Sequence, residues 1–243
     1  SQVQACGVTL AAIDSPILAN IVPNVQGYRW RVTTVTGSTA GQVQTLDTQI
    51  RQMKLTSLAT YAFATTYKIE VASLRNGNWG PYNSGCNIST PAATTALTNC
   101  NQTLTSLSDA VYANLVPFAP GYRFLITDPL NGANVATLDR SVRDFKMTMI
   151  TTFVVQYGKT YNVQVAVKNT DGTYMAYGGT CSVTTPVFPT TSVQDAQCDG
   201  YLVPTNTTPI YAYSYAGAIG YGFQLTGPGL PAQGVEVVKS TRT

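Results

Sequence analysis

Histidine is absent from all 243 residues. That removes Ser-His-Asp and Cys-His nucleophilic sites and the common zinc hydrolase sites, since each needs an imidazole. Charge is scarce, at 10% of residues, and only Glu70 and Glu236 are glutamates. Long helices rich in Glu, Lys, Arg, Leu and Ala are therefore not expected. No CxxC spacing accompanies the five cysteines, so neither a zinc site nor an activated thiol is expected. No DxDxDG calcium loop occurs, nor a Gly-rich phosphate loop after a strand. No cofactor or metal is expected, and enzyme activity is not. The 14 basic residues are scattered singly, with no cluster to follow a phosphate backbone, so nucleic acid is not an expected partner. No apolar run approaches the roughly 18 residues a membrane helix needs, and membrane insertion is not expected. Ser1-Gln2-Val3-Gln4 has no charged and apolar signal region. It reads as the start left by signal removal or as a point inside a longer polypeptide.

What is abundant is Thr, Val, Tyr, Ser, Asn and Gly, a composition that favours pleated, half-buried strands joined by turns. An internal repeat organises it. Gly27-Tyr28-Arg29-Trp30-Arg31-Val32-Thr33 returns as Gly121-Tyr122-Arg123-Phe124-Leu125-Ile126-Thr127 and again as Gly220-Tyr221-Gly222-Phe223-Gln224-Leu225-Thr226. Ala19-Asn20-Ile21-Val22-Pro23 matches Ala113-Asn114-Leu115-Val116-Pro117. Thr66-Tyr67-Lys68-Ile69-Glu70-Val71 matches Thr160-Tyr161-Asn162-Val163-Gln164-Val165, and Cys86-Asn87-Ile88-Ser89-Thr90-Pro91 matches Cys181-Ser182-Val183-Thr184-Thr185-Pro186. The period of about 95 residues suits one sandwich domain of about seven strands. The fold class expected is all-β: tandem antiparallel β-sandwich repeats at 1–91 and 92–186, and an incomplete one at 187–243.

Side chains alternate with period two within each repeat. Tyr28, Trp30, Val32, Tyr67, Ile69 and Val71 are the expected core of the first. Tyr122, Phe124, Ile126, Tyr161, Val163 and Val165 are that of the second. Asn76-Gly77, Asn131-Gly132 and Asp171-Gly172 read as turns. Asp47 and Asp139 precede Arg51 and Arg143 and are expected to pair with them as structural ion pairs. The third repeat reads as stopping in mid-domain, its remainder trimmed or disordered, with completion by a partner strand as the alternative.

The cysteines follow the repeat. Cys6 and Cys86 bracket the first unit, Cys100 and Cys181 the second, and Cys198 opens the third with its partner expected beyond the chain end. Pairing Cys6–Cys86 and Cys100–Cys181 closes loops of about 80 residues, stabilising each repeat by roughly 4 kcal/mol through chain entropy. Disulfides imply an oxidising compartment, secreted and extracellular. Candidate ligand contacts are the aromatics Trp79 and Tyr82 at an expected loop tip, with Tyr174 and Tyr177 in the second unit, since exposed rings stack on sugars or anchor proteins. Sequons at Asn87, Asn101 and Asn206 are near random expectation in so Asn- and Thr-rich a chain.

The pattern of opening Cys, Gly-Tyr-Arg-aromatic-x-aliphatic-Thr, Thr-Tyr-x-aliphatic-x-Val and Cys-x-aliphatic-x-Thr-Pro resembles a known family. It is similar to the tandem fibronectin type III or Ig-like repeats of large Bacteroidetes surface proteins, including gliding-motility adhesins exported by the type IX secretion system. The resemblance spans both full repeats and the start of the third. It implies a cell-surface stalk whose partners are neighbouring repeats of the same polypeptide, with surface glycans or secretion and motility proteins as outside contacts. It brings no catalytic residues. The alternative reading is a carbohydrate- or protein-binding module using the four loop aromatics. Thr90-Pro91 and Thr185-Pro186 favour extended junctions, so contacts are expected mostly within repeats along a semi-rigid rod.

Overall fold

In the computed structural model the described residues are 2–4, 6–188, 190–198, 205, 207–215 and 218–242. The chain forms two compact units, Ser1–Pro186 and Val187–Thr243. The first unit contains both full repeats. The first repeat supplies β1 (Ile17–Leu18), β2 (Gly27–Thr34), β3 (Val43–Thr48), β4 (Gln52–Met53), β5 (Thr66–Arg75), β6 (Asn78–Trp79) and β7 (Cys86–Ser89). The second supplies β8 (Gln102–Thr103), β9 (Ala110–Tyr112), β10 (Gly121–Asp128), β11 (Asn131–Arg140), β12 (Asp144–Lys146), β13 (Thr160–Lys168) and β14 (Cys181–Thr184).

Each repeat is an antiparallel sandwich of the Ig and fibronectin type III kind. One sheet runs β3-β2-β5-β6, with β7 also on β5, and faces the small β1-β4 sheet. In the second repeat the order is β11-β10-β13-β14-β8, facing β9-β12. The first segment of each repeat serves both sheets. Val3 bridges Ala19 beside β1, and Thr9 then bridges Ser89 of β7 in parallel; Leu97 bridges Ala113, and β8 then runs parallel to β14. Tyr67 and Tyr161 begin the central strands, and their hydroxyls accept the backbone N–H of Ala62 and Gln156, five residues upstream. This tyrosine corner is a hallmark of such sandwiches.

The cores follow the alternation in the sequence. Trp30, Ile69, Val71, Phe124, Ile126, Tyr161, Val163 and Val165 are fully buried, and Tyr28, Val32, Tyr67 and Tyr122 nearly so. The glycine that opens each repeated motif has a steric reason. A Cβ on Gly121 would stand 2.5 Å from the Arg140 carbonyl oxygen, and one on Gly27 3.1 Å from that of Thr48. Only glycine lets the neighbouring strand approach so closely.

Asn76 and Gly77 have φ of 48° and 76° and form the two-residue turn between β5 and β6, as the sequence predicts. Asn131-Gly132 is different. The chain turns at Pro129-Leu130 instead, because Asp128 pairs with Asn131 after a bulge, and Asn131-Gly132 opens β11. Proline pre-sets the first turn position, and the Asp128 carboxylate accepts the Leu130 N–H at 2.9 Å.

Contacts are not confined to single repeats. Ile13 and Phe63 of the first pack with Ala93 and Val167, all nearly or fully buried, and with Val116, Ala119 and Met175. Hydrogen bonds from backbone and side chains reinforce this joint. Tyr61 N–H donates to Thr170 Oγ1 at 2.6 Å, Thr170 N–H donates to the Tyr61 carbonyl, and Phe63 N–H donates to Asn169 Oδ1 at 2.9 Å. Tyr61 hydroxyl donates to the Phe118 carbonyl at 3.0 Å, and Ser38 hydroxyl to Asp171 at 2.6 Å. Residues 61–63 and 169–171 are loops, so period-two reasoning did not reach them.

The second unit holds β15 (Tyr221–Leu225) and β16 (Val235–Lys239), paired antiparallel. Val193 bridges Ala212, in the place of Val3–Ala19.

Candidate functional site

The outward positions of β2 carry Arg29 and Arg31, two residues apart and therefore on one face. Arg29 makes a two-pronged bond to Asp47, 2.7 Å for each prong, directly across on β3. Arg31 donates to Glu70 Oε2 at 2.7 Å, directly across on β5, where Lys68 also approaches at 3.3 Å. Arg123 repeats the first arrangement with Asp139 at 2.6 and 2.7 Å. The expected partners Arg51 and Arg143 do something else: they donate to the carbonyls of Ala19 and Ala113 at 3.1 and 3.0 Å. The reason is geometric. Residues directly opposite on neighbouring strands are closer than residues four apart along a chain that turns between them.

The same guanidiniums take the candidate ligand aromatics. Arg29 lies 4.3 Å from the ring centre of Trp79, Arg31 4.2 Å from that of Tyr82, and Arg123 3.8 Å from that of Tyr174. Trp79 is not at a loop tip. The tight turn at Asn76-Gly77 ends at once, so Trp79 sits in β6 opposite Leu74 and drops onto the sheet. Trp79, Tyr82 and Tyr174 are half-buried, whereas Tyr177 is 38% exposed. Each array has the same logic: the guanidinium edge meets a carboxylate and its face meets a ring, which uses both binding modes of arginine.

The electrostatics follow. The Arg29 bond holds Asp47 below the usual carboxylate range against the effect of burial, and Arg123 does the same for Asp139. Arg31 and then Lys68 lower Glu70. Burial pushes the Tyr174 hydroxyl up, with Asp139 beside it as the second cause. Asp128, fully buried, is held down at about 2, first by its bond to Lys159 and then by those from Leu130 and Asn134.

The cysteines lie where the first segment changes sheets. Cys6, between the bridges at Val3 and Thr9, is bonded to Cys86 at the start of β7, with Cα atoms 5.4 Å apart. Cys100, between Leu97 and β8, is bonded to Cys181 at the start of β14, with Cα atoms 5.0 Å apart. Each bond fastens the crossover to the last strand. Cys198 is free and exposed. Asn87 and Asn101 are exposed; Asn206 lies outside the described residues. Among the described residues no three His, Cys, Asp or Glu side chains gather as a metal site, and no helix is long and apolar enough to cross a membrane.

Neither a family model nor a curated protein matches the chain. Solved structures similar to it include the FN1–FN3 domains of chicken CNTN1, at 14% identity and a TM-score of 0.30. The match covers 76% of this chain and 65% of that one, so the chain spans less than two thirds of it. A segment of two fibronectin type III domains from chicken tenascin has 15% identity and a TM-score of 0.34, covering 71% and 93%. The chicken interferon gamma receptor alpha chain has 11% identity and a TM-score of 0.35, covering 72% and 93%.

Proposed function

We propose that this chain is a stalk segment of a large secreted surface adhesin, made of repeats at 1–91, 92–186 and 187–243, with its work mechanical and adhesive. The observation that carries this reading is the joint between the first two repeats. Six direct hydrogen bonds join the repeats among the described residues, four of them between loops 61–63 and 169–171, beside the buried apolar cluster of Ile13, Phe63, Ala93 and Val167, an arrangement suited to fixing one repeat's direction against the next. The disulfides support an extracellular setting, and the repeat motifs support the Bacteroidetes surface-protein context with its type IX export. The outward arrays favour a spacer over a glycan-binding module, because ring faces that would stack on sugars lie against Arg29, Arg31 and Arg123.

Residual dipolar couplings from the full chain test the joint. Residues of the first two repeats should fit one alignment tensor, and the double variant Asn169→Ala, Thr170→Val should split it into two. Two independent tensors in the unaltered protein would contradict a stiff spacer.

A further inference from the structure

The first two repeats place a groove at the same point of the fold, beside the first strand of the small sheet, and line it differently. Cys6 and Cys100 set the correspondence. Counted from them, Gln4 matches Thr98, Val8 matches Gln102, Pro16 matches Ala110 and Leu18 matches Tyr112. In the first repeat these residues, with Leu10 and Ile88, border a space of only about 100 Å³. In the second the lining is Thr98, Asn99, Gln102, Ala110, Tyr112 and Arg143, and the groove holds about 300 Å³. Val8, Pro16 and Leu18 show that apolar residues suffice to close the sandwich here. The open, polar lining of the second repeat therefore needs another reason.

Its walls are fixed. The segment 98–102 carries the disulfide at Cys100, and Gln102 pairs with Val183 of β14. Thr98 N–H donates to the Tyr112 carbonyl at 2.8 Å. On the sheet side, Arg143 Nη1 donates to the Ala113 carbonyl at 3.0 Å, and its guanidinium lies 5.4 Å from the Tyr112 ring centre. Tyr112 is 46% exposed. Among the described residues, no protein group bonds the side-chain amides of Asn99 and Gln102 or the Tyr112 hydroxyl. Arg29, Arg31 and Arg123 each meet a carboxylate, whereas Arg143 meets a carbonyl and a ring. Lys146, opposite Ala110 in register, adds a second cation to this face, with Asp144, opposite Tyr112, between the two.

We propose that this groove is a carbohydrate subsite for a pyranose unit that bears a carboxylate, a uronic acid residue of an acidic polysaccharide. The tyrosine ring offers an apolar face to the C–H groups of a pyranose. A guanidinium fork pairs with a carboxylate, and amides, which both donate and accept, suit sugar hydroxyls. Asp144 beside the two cations disfavours a dianionic phosphate and can accept a further hydroxyl. A few polar groups converging on a pre-formed concavity of this size are what a small ligand requires. The groove is separate from the arrays at Arg29, Arg31 and Arg123, and it supplies an adhesive contact that does not rest on the joint between repeats.

Oligomers of galacturonate and of glucuronate, titrated into the full chain and followed by amide chemical shifts, test this. Saturable shifts should appear at 98–102 and 110–113, with Gln4, Val8 and Leu18 unmoved. Methyl esterification of the oligomer should weaken binding by at least about tenfold. The double variant Gln102→Val, Tyr112→Leu should weaken it as much, and it gives the second repeat residues with which the first already folds. Unchanged shifts along β10 and β13 show that the variant is folded. Arg143→Gln should abolish the preference for free acid over ester, which a purely structural role would leave alone. Binding indifferent to esterification or to the double variant overturns the proposal, as does the absence of shifts at the groove with both oligomers. A chain that binds in this way while its repeats align independently would keep this site and lose the stiff spacer.

Discussion

Arg31 and Glu70 of the first repeat are replaced together in the second, by Leu125 and Gln164, which face each other in the same register. A nearly buried carboxylate needs its cation, and losing both is milder than losing one. Arg31→Leu alone should therefore lower the denaturation midpoint, Glu70→Gln alone should lower it less, and the double variant should recover most of the loss. A double-mutant cycle measured by urea unfolding checks this; strict additivity would mean the two groups do not interact. Asp128 makes a second prediction at this scale. Its folded pKa of about 2 lies below the ordinary value of 3.8, so it adds stability above roughly pH 4 that declines as pH falls towards 2. Asp47, Glu70 and Asp139 are shifted the same way. Asp128→Asn should flatten the acid limb of the stability–pH curve, and an unchanged limb would contradict the assignment.

Among the strands, alternation in the sequence was a sufficient guide where a strand has one buried face. Tyr28-Trp30-Val32 and Tyr67-Ile69-Val71 point inward because each has two packed neighbours. Trp30→Ala should cost about 3–5 kcal/mol, checked by chemical denaturation; a loss under about 1 kcal/mol would mean the strand faces the other way. Repetition likewise located the cysteines, because equal placement in two units constrains which sulfurs can meet. What alternation did not convey lay across strands or between loops. Nearness in sequence suggests Arg51 for Asp47, whereas register places Arg29 opposite it. Trp79 has the sequence context of a loop-tip residue, because a two-residue turn and the start of a longer loop share the same Asn-Gly signal. The joint at Tyr61, Phe63, Asn169 and Thr170 shows neither periodicity nor repetition, and it depends on the Asn169 and Thr170 side chains meeting backbone groups of a loop more than 100 residues away in sequence.

On the scale of the whole molecule, the first two repeats are each closed by a disulfide and coupled to one another through a fixed joint. Force applied along the chain enters the first repeat near Cys6 and leaves after β7, so it passes through the Cys6–Cys86 bond rather than through the sandwich. The bridged residues are 80 apart in sequence in the first repeat and 81 in the second. Stretching single oxidised and reduced chains is the most direct measurement. Oxidised repeats should lengthen only by the residues outside each cysteine pair. Reduction should release about 80 further residues per repeat, at about 3.3–3.6 Å each, or roughly 260–290 Å. Equal extension of oxidised and reduced chains would contradict the account, because the cysteines would then not carry the force.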